Sequence, residues 1–97
     1  MKLEYTHNLG QSEALARLKK FATQMMQEYK DDIQDASESW QGNKGDFMIK
    51  AKGIKVTGSL IVEESKVLVQ GKVPLILKPF QSDIEKLIIS ELDKLLK

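Results

Sequence analysis

Cysteine is absent from the 97 residues, and histidine occurs once, at His7. Disulfides and thiolate metal sites are thereby excluded, and a single imidazole cannot supply the usual ligand set for zinc. A chain without cysteine suits a reducing compartment. The opening Met1-Lys2-Leu3-Glu4-Tyr5-Thr6-His7 also lacks the apolar run of a secretory signal, so a cytoplasmic protein is expected. Long hydrophobic runs are missing too. The longest are about three residues, against the roughly 20 needed to cross a bilayer, so no transmembrane segment is expected. Nor is there a charge excess: 15 basic and 14 acidic side chains leave +1. Nucleic-acid binders normally carry a marked basic surplus, so nucleic acid is not expected as a partner.

What is present is a globular composition, 41% hydrophobic and 30% charged, sized for a single domain over 1–97. Leu3, Tyr5 and His7 alternate with polar residues, the period of a short strand. After Asn8-Leu9-Gly10 a helical pattern runs from Gln11 to Asp32. Its apolar members, from Ala14 and Leu15 through Leu18, Phe21, Ala22 and Met25 to Met26 and Tyr29, fill an arc of roughly 140°. Four strand-like segments follow: Asp35–Gln41, Asp46–Ala51, Ile54–Val62 and Lys66–Val73. The connections Gly42-Asn43-Lys44-Gly45, Lys52-Gly53 and Glu63-Glu64-Ser65 are too short for anything but antiparallel hairpins. Pro74 and Pro79 lead into a second helix, with Ser82 and Glu85 spaced as a capping box, although a start nearer Pro79 is also open. The expected fold is α+β, in the order β-α-β-β-β-β-α. Two helices would pack on one face of an antiparallel meander, with the first strand's place in the sheet undetermined.

Turn positions and apolar parity together predict a register. Around Lys52-Gly53, Ile49 faces Val56 and Phe47 faces Gly58; around Glu64-Ser65, Val62 faces Val67, Leu60 faces Val69 and Gly58 faces Gly71. A first hairpin centred on Asn43-Lys44 sets Trp40 opposite Phe47. The inner face then carries a row Trp40, Phe47, Gly58, Gly71, two large rings beside two positions without side chains. A helix side chain such as Phe21 or Met25 could fill the gap, the reading that close packing favours, or it could be an apolar pocket. The expected core on this face is Leu15, Leu18, Phe21, Ala22, Met25, Ile49, Val56, Leu60, Val67, Val69, Ile84, Ile88 and Leu92.

The outer face of the same strands bears Lys50, Lys52, Lys55 and Lys72, and residues 43–78 hold seven lysines against three acids. This is either a solvated sheet face or a surface for an anionic partner. The last helix is apolar over roughly 200°, more than one sheet contact needs. Packing on both the sheet and the first helix would use that arc; the alternative is that its spare edge, with Ile89 and Leu96, is a second interaction surface, towards a partner subunit or an apolar phase.

No catalytic centre is expected, and neither is a cofactor or a metal. Gly53 and Gly58 have the spacing of phosphate-loop glycines, but Ser59-Leu60 stands where lysine and serine or threonine are required. Asp31-Asp32-Ile33-Gln34-Asp35 lacks the central glycine and final glutamate of a calcium loop. His7 reads as a strand residue, and His7→Ala is expected to leave fold and any activity nearly unchanged.

Three groups of residues carry a family resemblance. The first is His7-Asn8-Leu9-Gly10 with Glu13-Ala14 and Arg17; the second is Trp40-Gln41-Gly42 with Phe47, Gly53 and Gly58; the third is Val67, Val69, Lys78-Pro79 and Ile84-Glu85. Together they resemble the polyhydroxyalkanoic acid system proteins, small bacterial proteins associated with the synthesis or granules of storage polyesters. The resemblance spans nearly the whole chain and implies a role near that pathway, but transfers no catalytic or binding residue. A non-enzymatic accessory protein at a granule surface, or beside a granule-associated protein, is therefore the leading expectation. The alternatives are a carrier with an apolar pocket between sheet and helices, and a structural homodimer.

Overall fold

A computed structural model describes all residues 1–97. Strand β1 (Lys2–Thr6) leads into helix α1 (Gln11–Glu28), then β2 (Asp35–Gln41), β3 (Lys44–Ala51), β4 (Ile54–Val62) and β5 (Lys66–Lys72). A 3-10 segment, Leu75–Phe80, runs directly into helix α2 (Gln81–Leu96). The five strands form one antiparallel sheet in the order β1-β5-β4-β3-β2, so the first strand closes the edge beside the last. This is the expected α+β architecture.

Backbone chemistry sets the hairpins. Lys52 and Gly53 both have positive φ, 52° and 77°, as a type I′ loop demands, and Ala51 faces Ile54 across them. The Val62–Val67, Leu60–Val69 and Gly58–Gly71 pairs stand as expected.

The first hairpin differs. Its loop is Gly42-Asn43, with Gly42 at φ 59° and Gln41 facing Lys44, so Trp40 faces Gly45 and Glu38 faces Phe47. Either glycine of Gly-Asn-Lys-Gly could have made the turn. Gly45 instead lies in β3 beneath the Trp40 ring, where a Cβ would come within 2.8 Å of it. The shift is two residues, so every side chain keeps its face. Trp40 still meets Phe47 edge-to-face, diagonally, at 5.5 Å between ring centres.

The helix ends also differ from the expectation. Helix α1 stops at Glu28, one turn short of Asp32, with the Tyr29 amide bonded back to Met25. Helix α2 has no side-chain cap at Ser82; of the two starts left open it takes the one nearer Pro79, with Phe80 preceding it and the 3-10 turn supplying the lead-in.

The fully buried apolar residues gather at one end of the sheet. Ala14 and Leu18 of α1, Leu92 and Leu96 of α2, and Val62, Val67 and Val69 around the β4–β5 turn form a single cluster. Several bonds clamp this end. The His7 amide donates to Ser65 O, and the Gln11 side chain donates to Val62 O at 2.8 Å. Arg17 donates to Leu95 O at 3.1 Å, a cation at the negative end of α2. The Tyr5 hydroxyl donates to Asp93 at 2.6 Å, tying α2 to β1. That carboxylate, chiefly by accepting the phenolic hydrogen, holds the Tyr5 pKa above its ordinary value.

Away from the clamp, helices and sheet part. Ile49 and Val56, expected in the core, are 38% and 39% exposed. Phe21 and Met25 are half-buried, and Tyr29 at the end of α1 is exposed. The connection Asn8–Gly10 pins the start of α1 to the clamped end. Beyond its far end, the Gln34 amide donates to Lys50 O at 2.7 Å and Gly53 N to Gln34 Oε1 at 2.6 Å, which ties the chain to the β3–β4 hairpin and leaves Ile49 and Val56 uncovered.

Candidate functional site

The parted helices make an open apolar groove of about 580 Å³. One wall is α1, through Phe21, Met25 and Tyr29; the other is α2, through Leu87, Ile88 and Glu91. The floor is the inner sheet face, with Phe47, Ile49, Val56, Leu60 and the two glycines Gly58 and Gly71.

The glycines have different neighbours. A Cβ on Gly58 would lie 2.9 Å from the backbone oxygen of Gln70, so β5 approaches too closely for a side chain there. A Cβ on Gly71 would meet the Met1 methyl at 2.9 Å. The Met1 side chain therefore covers Gly71, where Phe21 or Met25 had been expected, and the groove beyond it stays open.

Of the expected pocket residues, Phe47, Gly58 and Gly71 line the groove floor, and Trp40 stands behind Phe47. Trp40 stacks under the Lys19 ammonium, 5.4 Å from the ring centre. The row across the sheet is therefore Glu38, Phe47, Gly58, Gly71. Sequence reading missed Glu38. Only the correct loop, Gly42-Asn43, puts this carboxylate beside Phe47, and one of its oxygens, like the Trp40 indole nitrogen, is shut off without a hydrogen-bond partner.

Lys50 and Lys55 face each other across β3 and β4, a like-charge pair, and Asp35 of β2 stands across from Lys50 on its other side. Lys52 is in the turn and Lys72 stands opposite Thr57. These lysines lie on the outer face and its edge, away from the groove. That face has a shallow polar hollow of about 620 Å³, floored by Ser37, Ser39, Asp46, Thr57 and Ser59, with no element covering it.

Helix α2 corrects the second surface. Leu96 is 2% exposed and belongs to the core, and Ile89 is half-buried. The bare positions are Leu87 in α2 and Leu75, Ile76 and Phe80 in the preceding 3-10 segment. The apolar arc of α2 was legible, but its rotation was not: the clamp turns Leu92 and Leu96 inwards and so carries Leu87 out.

His7 is buried just beyond β1. The Leu9 amide donates to its Nδ1 at 3.2 Å, so Nε2 carries the hydrogen and donates to Glu63 O, also at 3.2 Å. The imidazole joins the β1–α1 loop to the β4–β5 hairpin. His7→Ala is thus expected to lower stability by about 1–2 kcal/mol, since it strips partners from two backbone groups. Urea unfolding checks this; an unchanged midpoint would show that the bridge is idle. No three His, Asp or Glu side chains gather as a metal site requires, and no helix is long and apolar enough to cross a membrane.

A family model described as "Putative polyhydroxyalkanoic acid system protein" matches residues 1–96. No curated protein and no solved structure matches the chain significantly.

Proposed function

Because the chain belongs to the family of polyhydroxyalkanoic acid system proteins, we propose that it is an accessory protein of polyester storage that adsorbs to the polymer surface. The observation that carries this reading is a run of bare apolar side chains. Leu75, Ile76, Phe80 and Leu87 are 84%, 67%, 55% and 62% exposed, within thirteen residues of chain. Scattered apolar side chains are ordinary, but a set this exposed and this close in sequence marks a contact surface. Leu75, Ile76 and Phe80 belong to the 3-10 segment that runs directly into α2, which carries Leu87. Burying each such side chain contributes roughly 1.5–3 kcal/mol, enough in combination for stable adsorption. Lys72 precedes the run, and Lys78 and Lys86 lie within it. The outer lysines Lys50, Lys52, Lys55 and Lys72 supply a secondary attraction if the polymer bears an anionic coat.

Co-sedimentation with native granules and with uncoated polymer tests the proposal. Leu75→Ser, Ile76→Ser and Phe80→Ser together are expected to weaken adsorption to both at least tenfold, a loss of about 1.4 kcal/mol or more. Neutralising the four outer lysines should matter only on coated granules and only at low salt. Failure of the wild-type protein to sediment with either surface would sink the proposal.

A further inference from the structure

We propose that the open edge of β2 pairs with the same edge of a second copy of the chain, antiparallel about Ser39, so that the two sheets become one. The pairing is independent of the adsorption proposed above.

The sheet has two edges, β1 and β2. In an antiparallel ladder alternate residues aim their backbone groups at the neighbouring strand, and the rest aim them away. Met1 and His7 bond to Gly71 and Ser65, so on β1 the outward groups belong to Lys2, Glu4 and Thr6. Charged side chains at such positions are a usual guard against pairing. On β2 the Ala36 amide donates to the Asp35 carboxylate at 2.9 Å instead of to β3, so the outward groups are those of Ala36, Glu38 and Trp40. Every residue of β2 pairs with β3 without a bulge, and the strand contains neither lysine nor proline. Such an edge is a template for another strand.

Its one guard is Glu38, on the inner face. A two-fold axis at Glu38 would set two carboxylates against each other, which like-charge repulsion opposes. An axis at Ser39 sets Glu38 against the partner's Trp40 and, by symmetry, Trp40 against the partner's Glu38. Ser37 then meets the partner's Gln41, and no like charges are opposed. The outward groups of Glu38 and Trp40 supply the backbone hydrogen bonds across the seam.

This register also unites the two polar groups that a single copy leaves unsatisfied. One Glu38 carboxylate oxygen, an acceptor, and Trp40 Nε1, a donor, are enclosed without a hydrogen-bond partner, a rare condition in a folded protein. The Trp40 ring lays Cε3, Cζ3 and Cη2 over Gly45, which leaves Nε1 on the far side of the indole. Lys19 lies over that ring, 5.4 Å from its centre, on a flexible stem that can swing aside. A hydrogen bond from each Nε1 to the facing carboxylate satisfies both groups at once.

The chain has no cysteine, so Ser39→Cys can form a disulfide only between copies. Ser39 is exposed and sits on the axis, where the α-carbons of a non-hydrogen-bonded pair are about 4.5 Å apart, within disulfide reach. Ser37 is exposed too, but it faces position 41, which puts it roughly 14 Å from its own counterpart. Mild oxidation should therefore convert at least tenfold more of Ser39→Cys than of Ser37→Cys to covalent dimer. Sedimentation of the unaltered chain should show its mass doubling reversibly with concentration. Trp40→Phe and Glu38→Ala should each weaken association at least tenfold, and the double variant no more than either alone. If Trp40→Phe does not fold, the two exposed-serine variants still decide. A monomer at every concentration, equal cross-linking at both serines, or additive losses in the double variant would overturn the pairing. So would loss of the dimer on replacing Leu75, Ile76 and Phe80 with serine, because the contact would then lie on the apolar run.

Discussion

Leu18→Ala is expected to cost about 2–5 kcal/mol, the range for truncating a buried leucine where the surroundings cannot close over the space. Leu18 is almost wholly enclosed, among residues from both helices and the sheet. Whole-domain stabilities run at about 5–15 kcal/mol, so this one change should remove a large share of the total. Urea unfolding gives the result directly, as a lower midpoint with an unchanged slope. Phe21→Ala provides the contrast. Its ring is larger, and sequence alone would assign it the greater loss, but it forms a half-buried groove wall. Less than about 3 kcal/mol is therefore expected, below the range for a fully buried phenylalanine. If the two variants fell in the opposite order, the clamp would be at the wrong end of the molecule.

Gly58→Ala is the second large effect. The added Cβ would sit 2.9 Å from a backbone oxygen of β5, which cannot rotate away as a side chain would. The β4–β5 ladder must spread, and about 1–3 kcal/mol is the usual cost of such overpacking. Gly71→Ala is the matched control: its Cβ meets only the end of the Met1 side chain, which can move, so a small loss is expected. Thermal unfolding of both variants separates the cases. Equal stability would mean that the close approach at Gly58 is not a constraint.

These glycines mark the boundary of what the sequence could reveal. Turn chemistry at Lys52-Gly53 and apolar parity along β4 and β5 sufficed to place Gly58 beside Gly71 and Phe47. Their neighbours were not legible, because strand approach and the course of Met1 are set by sheet twist and by β1, whose position no local signal encodes. Trp40 was assigned to the right face but the wrong partner, since two alternative loops differed by two residues and parity cannot detect an even shift. Helix rotation was the other gap. The apolar arc of α2 is wide enough to seat in several ways, and contacts distant in sequence, Arg17 with Leu95 and Tyr5 with Asp93, select the one that buries Leu96 and exposes Leu87. Histidine misled for a related reason: its bonds to Leu9 and Glu63 come from a loop and a hairpin that pattern alone does not bring together.

The clamp at one end has a consequence for how the molecule breathes. Amide hydrogens around Leu18, Val62 and Val67 should exchange with solvent only when the whole chain unfolds, because nothing there can open singly. Those in the last turns of α1, from Gln24 to Glu28, have few buried apolar neighbours to break and should exchange through a cheaper, local opening. Helix α1 would thus behave as a lever hinged at Gly10, tight at its root and loose at its tip.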